Sequence, residues 1–160
     1  MWTYGDNMLA TDVSYSIVLI EKAFDLQVYM SRSYLDANDV YKSWRQQVDN
    51  YLAEDNDYDA SIELYVHYRN CDTWETVCIS NLGFNDIPEG SAEGDLYAVT
   101  VISNSIITYH EITGSYQGAM IMYNSYSKLY NNHDFDLVAM HKLDASASDS
   151  GYTLKNLYKD

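Results

Sequence analysis

The chain concentrates its chemistry in one short run, Glu54-Asp55-Asn56-Asp57-Tyr58-Asp59. Alternating carboxylates are the donors that hard cations take. Asp55, Asp57 and Asp59 match positions 1, 3 and 5 of a calcium-binding EF-hand loop. The match ends there. The position that needs glycine for the sharp turn is Ala60, and the position that needs a bidentate glutamate is Val66. The residues after Asp59 also have strand character where an EF-hand needs a second helix. No metal is therefore expected. A second chemistry suits the same residues. In extended backbone, residues two apart sit roughly 6.6 Å apart on one side, about two base steps along a duplex strand. A ladder of carboxylates at that pitch can enter a groove built for phosphates. Taken alone, the run reads better as a solvated loop between a helix and a strand.

The surrounding charge makes the ladder competitive with that loop. The 160 residues carry 24 Asp+Glu against 9 Lys+Arg, a formal net charge of -15. From Gln46 to Ser127 the one cation is Arg69, opposed by carboxylates that begin at Asp49 and end at Glu111. Such a field attracts cationic partners and repels nucleic acid and anionic membrane. The residues expected to face a basic protein are Asp49, Glu54, Asp55, Asp57, Asp59 and Glu63, then Asp86, Glu89, Glu93 and Asp95. Tyr58 and Trp74 are the expected aromatic anchors, because an amphipathic ring suits a half-wet interface.

In composition the chain resembles the small acidic inhibitors that phages and mobile elements encode. That resemblance implies a nucleic-acid mimic that blocks a basic DNA- or RNA-binding host-defence enzyme of the restriction or CRISPR type. It assigns no residue. Two other readings share the charge: an acidic antidote, or immunity protein, that neutralises a basic toxin, and a domain whose charge serves solubility alone.

Enzyme chemistry finds little support. Gly114-Ser115-Tyr116-Gln117-Gly118 lacks the central serine of a nucleophile elbow. Neither a P-loop nor a dinucleotide-binding glycine motif occurs. His67, His110, His133 and His141 lack metal-site spacing. Cys71 and Cys78 sit in a negative field, which disfavours the anionic thiolate and opposes catalysis. No cofactor is expected. The N-terminus has no signal-peptide pattern, and the longest aliphatic run, Ile17 to Ile20, is too short to span a bilayer. A cytoplasmic protein of a prokaryotic host cell is the expectation.

The elements that must position these residues read as α+β: a mostly antiparallel sheet with two amphipathic helices in one compact domain, 1–160. Val13 to Met30 fits one helical face or alternating strands, and its β-branched content favours strands. Asp39 to Ala53 has helical spacing, with Asn38 as the N-cap. Ser61 to Arg69 and Thr73 to Ser80 form a hairpin around Asn70-Cys71-Asp72. Asn81 to Gly94 is a loop. Leu96 to Ile102 and Ser105 to Ile112 form a second hairpin. Tyr116 to Tyr130 is a helix, and Phe135 to His141 is the final strand. Residues 144–160 form a tail that is either flexible or docked. No internal repeat stands out.

Overall fold

Strand β1 (Val13–Glu21) dictates the architecture, because it is buried on both faces. Val13, Tyr15, Ile17 and Leu19 pack toward a helix, while Val18 and Ile20 pack toward a second sheet. A strand covered on both sides is apolar throughout instead of alternating cleanly. That is why Val13 to Met30 fits a helix as well as it fits strands. The structure, a computed structural model, describes residues 13–22, 25–70, 73–79, 92–132 and 134–156.

β1 and β2 (Asp25–Ser31) form an antiparallel hairpin. Helix α1 (Tyr34–Glu54) follows, then β3 (Ala60–Asn70) and β4 (Thr73–Cys78). The sheet order is β2-β1-β3-β4. The chain then repeats the plan with β5 (Leu96–Ser103), β6 (Ile106–Thr113), α2 (Tyr116–Leu129), β7 (Asp136–Leu143) and β8 (Tyr152–Asn156). The second sheet has the order β6-β5-β7-β8. The two sheets pack face to face, with a helix on each outer face. The α+β class and the two helices agree with the sequence, and the β content is divided between two antiparallel sheets.

The halves share register as well as topology. Val13 opposes Tyr68 on β3 as Tyr97 opposes Lys142 on β7, and Ser16 opposes Tyr65 as Thr100 opposes Ala139. The helices also start alike. Ser33-Tyr34-x-x-Ala37 and Ser115-Tyr116-x-x-Ala119 each lead to a tyrosine, Tyr41 or Tyr123, then a serine and an aromatic. Both N-cap hydroxyls accept a backbone N–H three residues on, at 3.3 Å from Asp36 N and 3.1 Å from Gly118 N. Ala37 and Ala119 are 0% exposed, where each helix backbone lies on its sheet. The repeat escapes a reading of the sequence because so few positions keep their identity.

The N-cap of α1 is Ser33, not Asn38. The extra turn is helical because Tyr34, Ala37 and Tyr41 extend the apolar stripe backward at the same spacing. Residues 144–156 of the C-terminal tail pack onto the sheets, and Phe135 to His141 does not hold the final strand. β8 pairs with β7 over Tyr152 to Asn156, and before it Asp149 bridges Ser31 on β2. Arg32 ties these parts together. Its guanidinium donates to the carbonyls of Ala147 (2.9 Å), Gly94 (2.8 Å), Asp144 (3.0 Å) and Ala92. The turn residues 71–72 and most of the loop before Gly94 lie outside the described residues.

Candidate functional site

α1 has 21 residues and α2 has 14, although both begin at the same Ser-Tyr pair. The difference is about two turns. Those turns start at the buried Val48, are exposed from Asp49 to Glu54, and run into the acidic loop. Between them and the β1–β2 hairpin lies an open cleft of about 500 Å³. Trp44, Tyr51 and Tyr58 supply its aromatic walls, and Glu21, Asp25, Glu54 and Asp55 its carboxylates. Among the described residues, Lys22 is the one cation that lines it. Tyr51 and Tyr58 fasten the acidic loop to the helix, with ring centroids 5.3 Å apart.

The acidic loop is folded, not extended. Asp55 accepts the backbone N–H of Asp57 at 2.9 Å through its own carboxylate, and Tyr58 N donates to Asp55 O at 3.1 Å. This Asx-type turn breaks the even ladder expected of Asp55, Asp57 and Asp59. All three side chains remain exposed. Asp59 stays beside the cleft, because its carbonyl accepts Lys22 N at 3.0 Å.

The other expected contact residues are dispersed. Asp49 is exposed on α1 and pairs with Arg45 at 3.5 Å. Glu63 is half-buried on β3 and accepts the Tyr65 hydroxyl. Trp74 is half-buried on β4 and packs against the core between the sheets, so it is not presented as a free anchor. Asp95 lies beyond the Val13 end of β1, where Lys142 stands 3.7 Å away and Ala145 N donates to it at 2.8 Å. Asp55 and Asp59 lie beyond the Glu21 end of that strand. Nine residues of strand separate the ends, about 26 Å. Glu93 is exposed near Asp95. Asp86 and Glu89 lie outside the described residues. The structure thus gathers Glu54, Asp55, Asp57, Tyr58 and Asp59, and adds Glu21, Asp25, Trp44 and Tyr51 from elements the sequence could not bring together.

A second polar constellation lies buried between the sheets. Ser16 Oγ stands 2.6 Å from His67 Nε2 and 2.5 Å from His110 Nε2. A serine beside an imidazole is the arrangement of an activated nucleophile. Here Ser16 and His67 are both 0% exposed, so no substrate reaches them. Burial holds the imidazoles below their ordinary pKa, His67 at about 3 and His141 at about 4, and His110 well below as well. His67 and His110 are satisfied inside the core by the hydroxyls of Ser16, Thr76 and Thr100. Among the described residues, no group of His, Cys, Asp or Glu is placed to hold a metal ion. No described helix is long and apolar enough to cross a membrane. No family model matches the chain, and neither a curated protein nor a solved structure matches it.

Proposed function

We propose that the chain is an acidic protein-binding inhibitor that occupies the basic, nucleic-acid-binding surface of another protein. One observation carries this reading. The acidic, aromatic cleft is built from the two turns of α1 and the loop after them, the part of the first half that the second half lacks. The shared fold does not require it. Across the second half, α2 stops at Leu129, and the connection to β7 carries Asp134 where the first half carries Asp55, Asp57 and Asp59.

The physics is that of a charged rim around an apolar floor. Exposed carboxylates steer a basic partner inward and raise the association rate. Trp44, Tyr51 and Tyr58 then supply area that a Lys or Arg stem covers, with the cation over a ring face. A nucleic-acid-binding groove already presents such cations, and it meets this surface with its geometry preset. Mimicry here rests on charge and shape at one end of the molecule, not on an even phosphate ladder.

The test is capture from a lysate of the native host, with release by duplex DNA or RNA. A basic protein that the wild type retains, that nucleic acid displaces, and that Asp55→Asn/Asp57→Asn/Asp59→Asn fails to retain supports mimicry. A basic protein retained through the same residues but indifferent to nucleic acid supports the antidote reading. Retention unaffected by the substitutions removes the cleft from the account.

A further inference from the structure

Histidines from three strands meet between the sheets: His67 of β3, His110 of β6 and His141 of β7, at 0%, 5% and 5% exposure. The first two share Ser16, and their other ring nitrogens reach Thr76 and Thr100, each at 2.8 Å. A hydroxyl carries one proton. Ser16 can donate to one imidazole and must accept from the other. The chain Thr76–His67–Ser16–His110–Thr100 therefore makes one ring accept from Ser16 and the other donate to it, and it crosses from the first sheet to the second. His141 is the counterpart of His67 in the second half: His67 opposes Thr76 on β4, and His141 opposes Thr153 on β8. His141 Nδ1 meets no hydrogen-bond partner among the described residues.

Among the described residues, none beside this cluster is suited to balance a charge in it. From β3, Tyr65 lies against both rings, at 6.3 Å from His67 and 4.8 Å from His110, and its hydroxyl is engaged by Glu63. From β4, Cys78 stands beside Tyr65. β1 and β5 present serines, a threonine and apolar groups, and β2 presents Val28 and Met30. Alternation turns Glu111 and Lys142 the other way: Glu111 accepts from Tyr126 on α2, and Lys142 lies over Tyr97. A proton on the accepting imidazole would make both its nitrogens donors and leave the Ser16 hydroxyl hydrogen without its acceptor.

We propose that this histidine cluster is an acid-sensitive latch between the two halves: its protonation parts the two sheets while each helix stays packed on its own sheet. The core clusters divide in the same way. One joins α1 to the first sheet and another joins α2 to the second, each within its own half. Only the remaining two run across the junction.

The direction of the pH effect follows from the depressed pKa values. An opened histidine titrates near 6.5, whereas His67 and His141 in the closed state titrate at about 3 and about 4. The closed state thus binds fewer protons. The latch is at full strength above about pH 6.5 and weakens steadily as pH falls below it.

Two measurements test this. Histidine-ring NMR of the intact protein should show three rings that do not titrate before opening begins. Urea unfolding at pH 5.5 should take up about three protons more than the native state holds on these rings, and His141→Leu should take up about one fewer. In a Trp2→Phe/Trp44→Phe variant, the remaining Trp74 reports on the sheet junction. Its fluorescence should change at a higher pH than the far-ultraviolet helical signal. Cluster rings that titrate near pH 6.5 in the closed protein would overturn the latch. So would loss of the Trp74 and helical signals at one and the same pH.

Discussion

The ring of Tyr51, in the last turns of α1, lies 5.3 Å from that of Tyr58, in the loop that leads to β3. This pair fastens the acidic loop to the helix from which it departs. Tyr58 is half-buried there, and Tyr51 is exposed on its outer side.

Tyr58→Ala should therefore act twice. Loss of the ring contact should destabilise the fold by about 0.5–1.5 kcal/mol beyond lost area, measurable by urea denaturation. It should also speed dissociation of a captured partner, because the loop loses its fixed geometry, and leave the association rate nearly unchanged. No change in either quantity would show that the ring pair is incidental.

Arg32 should tolerate no replacement. Its donors satisfy carbonyls from two connections, before β5 and after β7. Arg32→Ala should cost at least about 1.5–3 kcal/mol, the range for a hydrogen bond to a charged group. Arg32→Lys should recover little, because a compact ammonium cannot span carbonyls that a planar fork reaches. Chemical denaturation of both variants decides this, and full rescue by lysine would contradict it.

The repeated helix seat predicts paired behaviour. Ala37→Leu and Ala119→Leu should each destabilise by about 1–3 kcal/mol through overpacking, since both alanines are 0% exposed. Leu35, 73% exposed on α1, serves as the control, and Leu35→Ala should stay within about 0.5 kcal/mol. A large cost at one alanine and none at the other would mean that the two helices do not sit alike.

Gly151 tests the docked tail. A Cβ there would meet the Lys142 carbonyl oxygen at 2.7 Å and Met30 Sδ at 2.9 Å. Gly151→Ala should cost about 1–3 kcal/mol and raise amide exchange in β8. An unaltered exchange rate would indicate that the tail is not held by this contact.

Much of the fold was legible because strand and helix periods are local. Ser61 to Arg69, Leu96 to Ile102 and Tyr116 to Tyr130 carry their pattern within themselves. The pairing of halves was not legible, since β1 and β5 resemble each other only in register and in which face each residue takes. The acidic run from Glu54 to Asp59 was visible as charge. Its companions Glu21, Asp25 and Trp44 come from elements that only the folded hairpin and helix bring beside it. Trp74 illustrates the opposite failure. Its type suits an interface, but its place on β4 packs it against the core between the sheets. Ser16 offered no signal, because nothing local tells a serine in an apolar strand that two histidines, far along the chain, will share its hydroxyl.

The central claim is that charge at the end of α1 recruits a basic partner, and one measurement tests it most directly. The association rate of the captured partner should be followed across a salt series for the wild type and for Asp55→Asn/Asp57→Asn/Asp59→Asn. Asparagine keeps the oxygen that Asp55 offers to Asp57 N, so the turn survives and only charge is removed. Exposed charges act over a Debye length of about 8 Å at physiological ionic strength. The account predicts a slower association for the variant at low salt, a flatter salt dependence and nearly the same dissociation rate. An unchanged association rate at low salt would contradict it and reduce these carboxylates to a solvated loop.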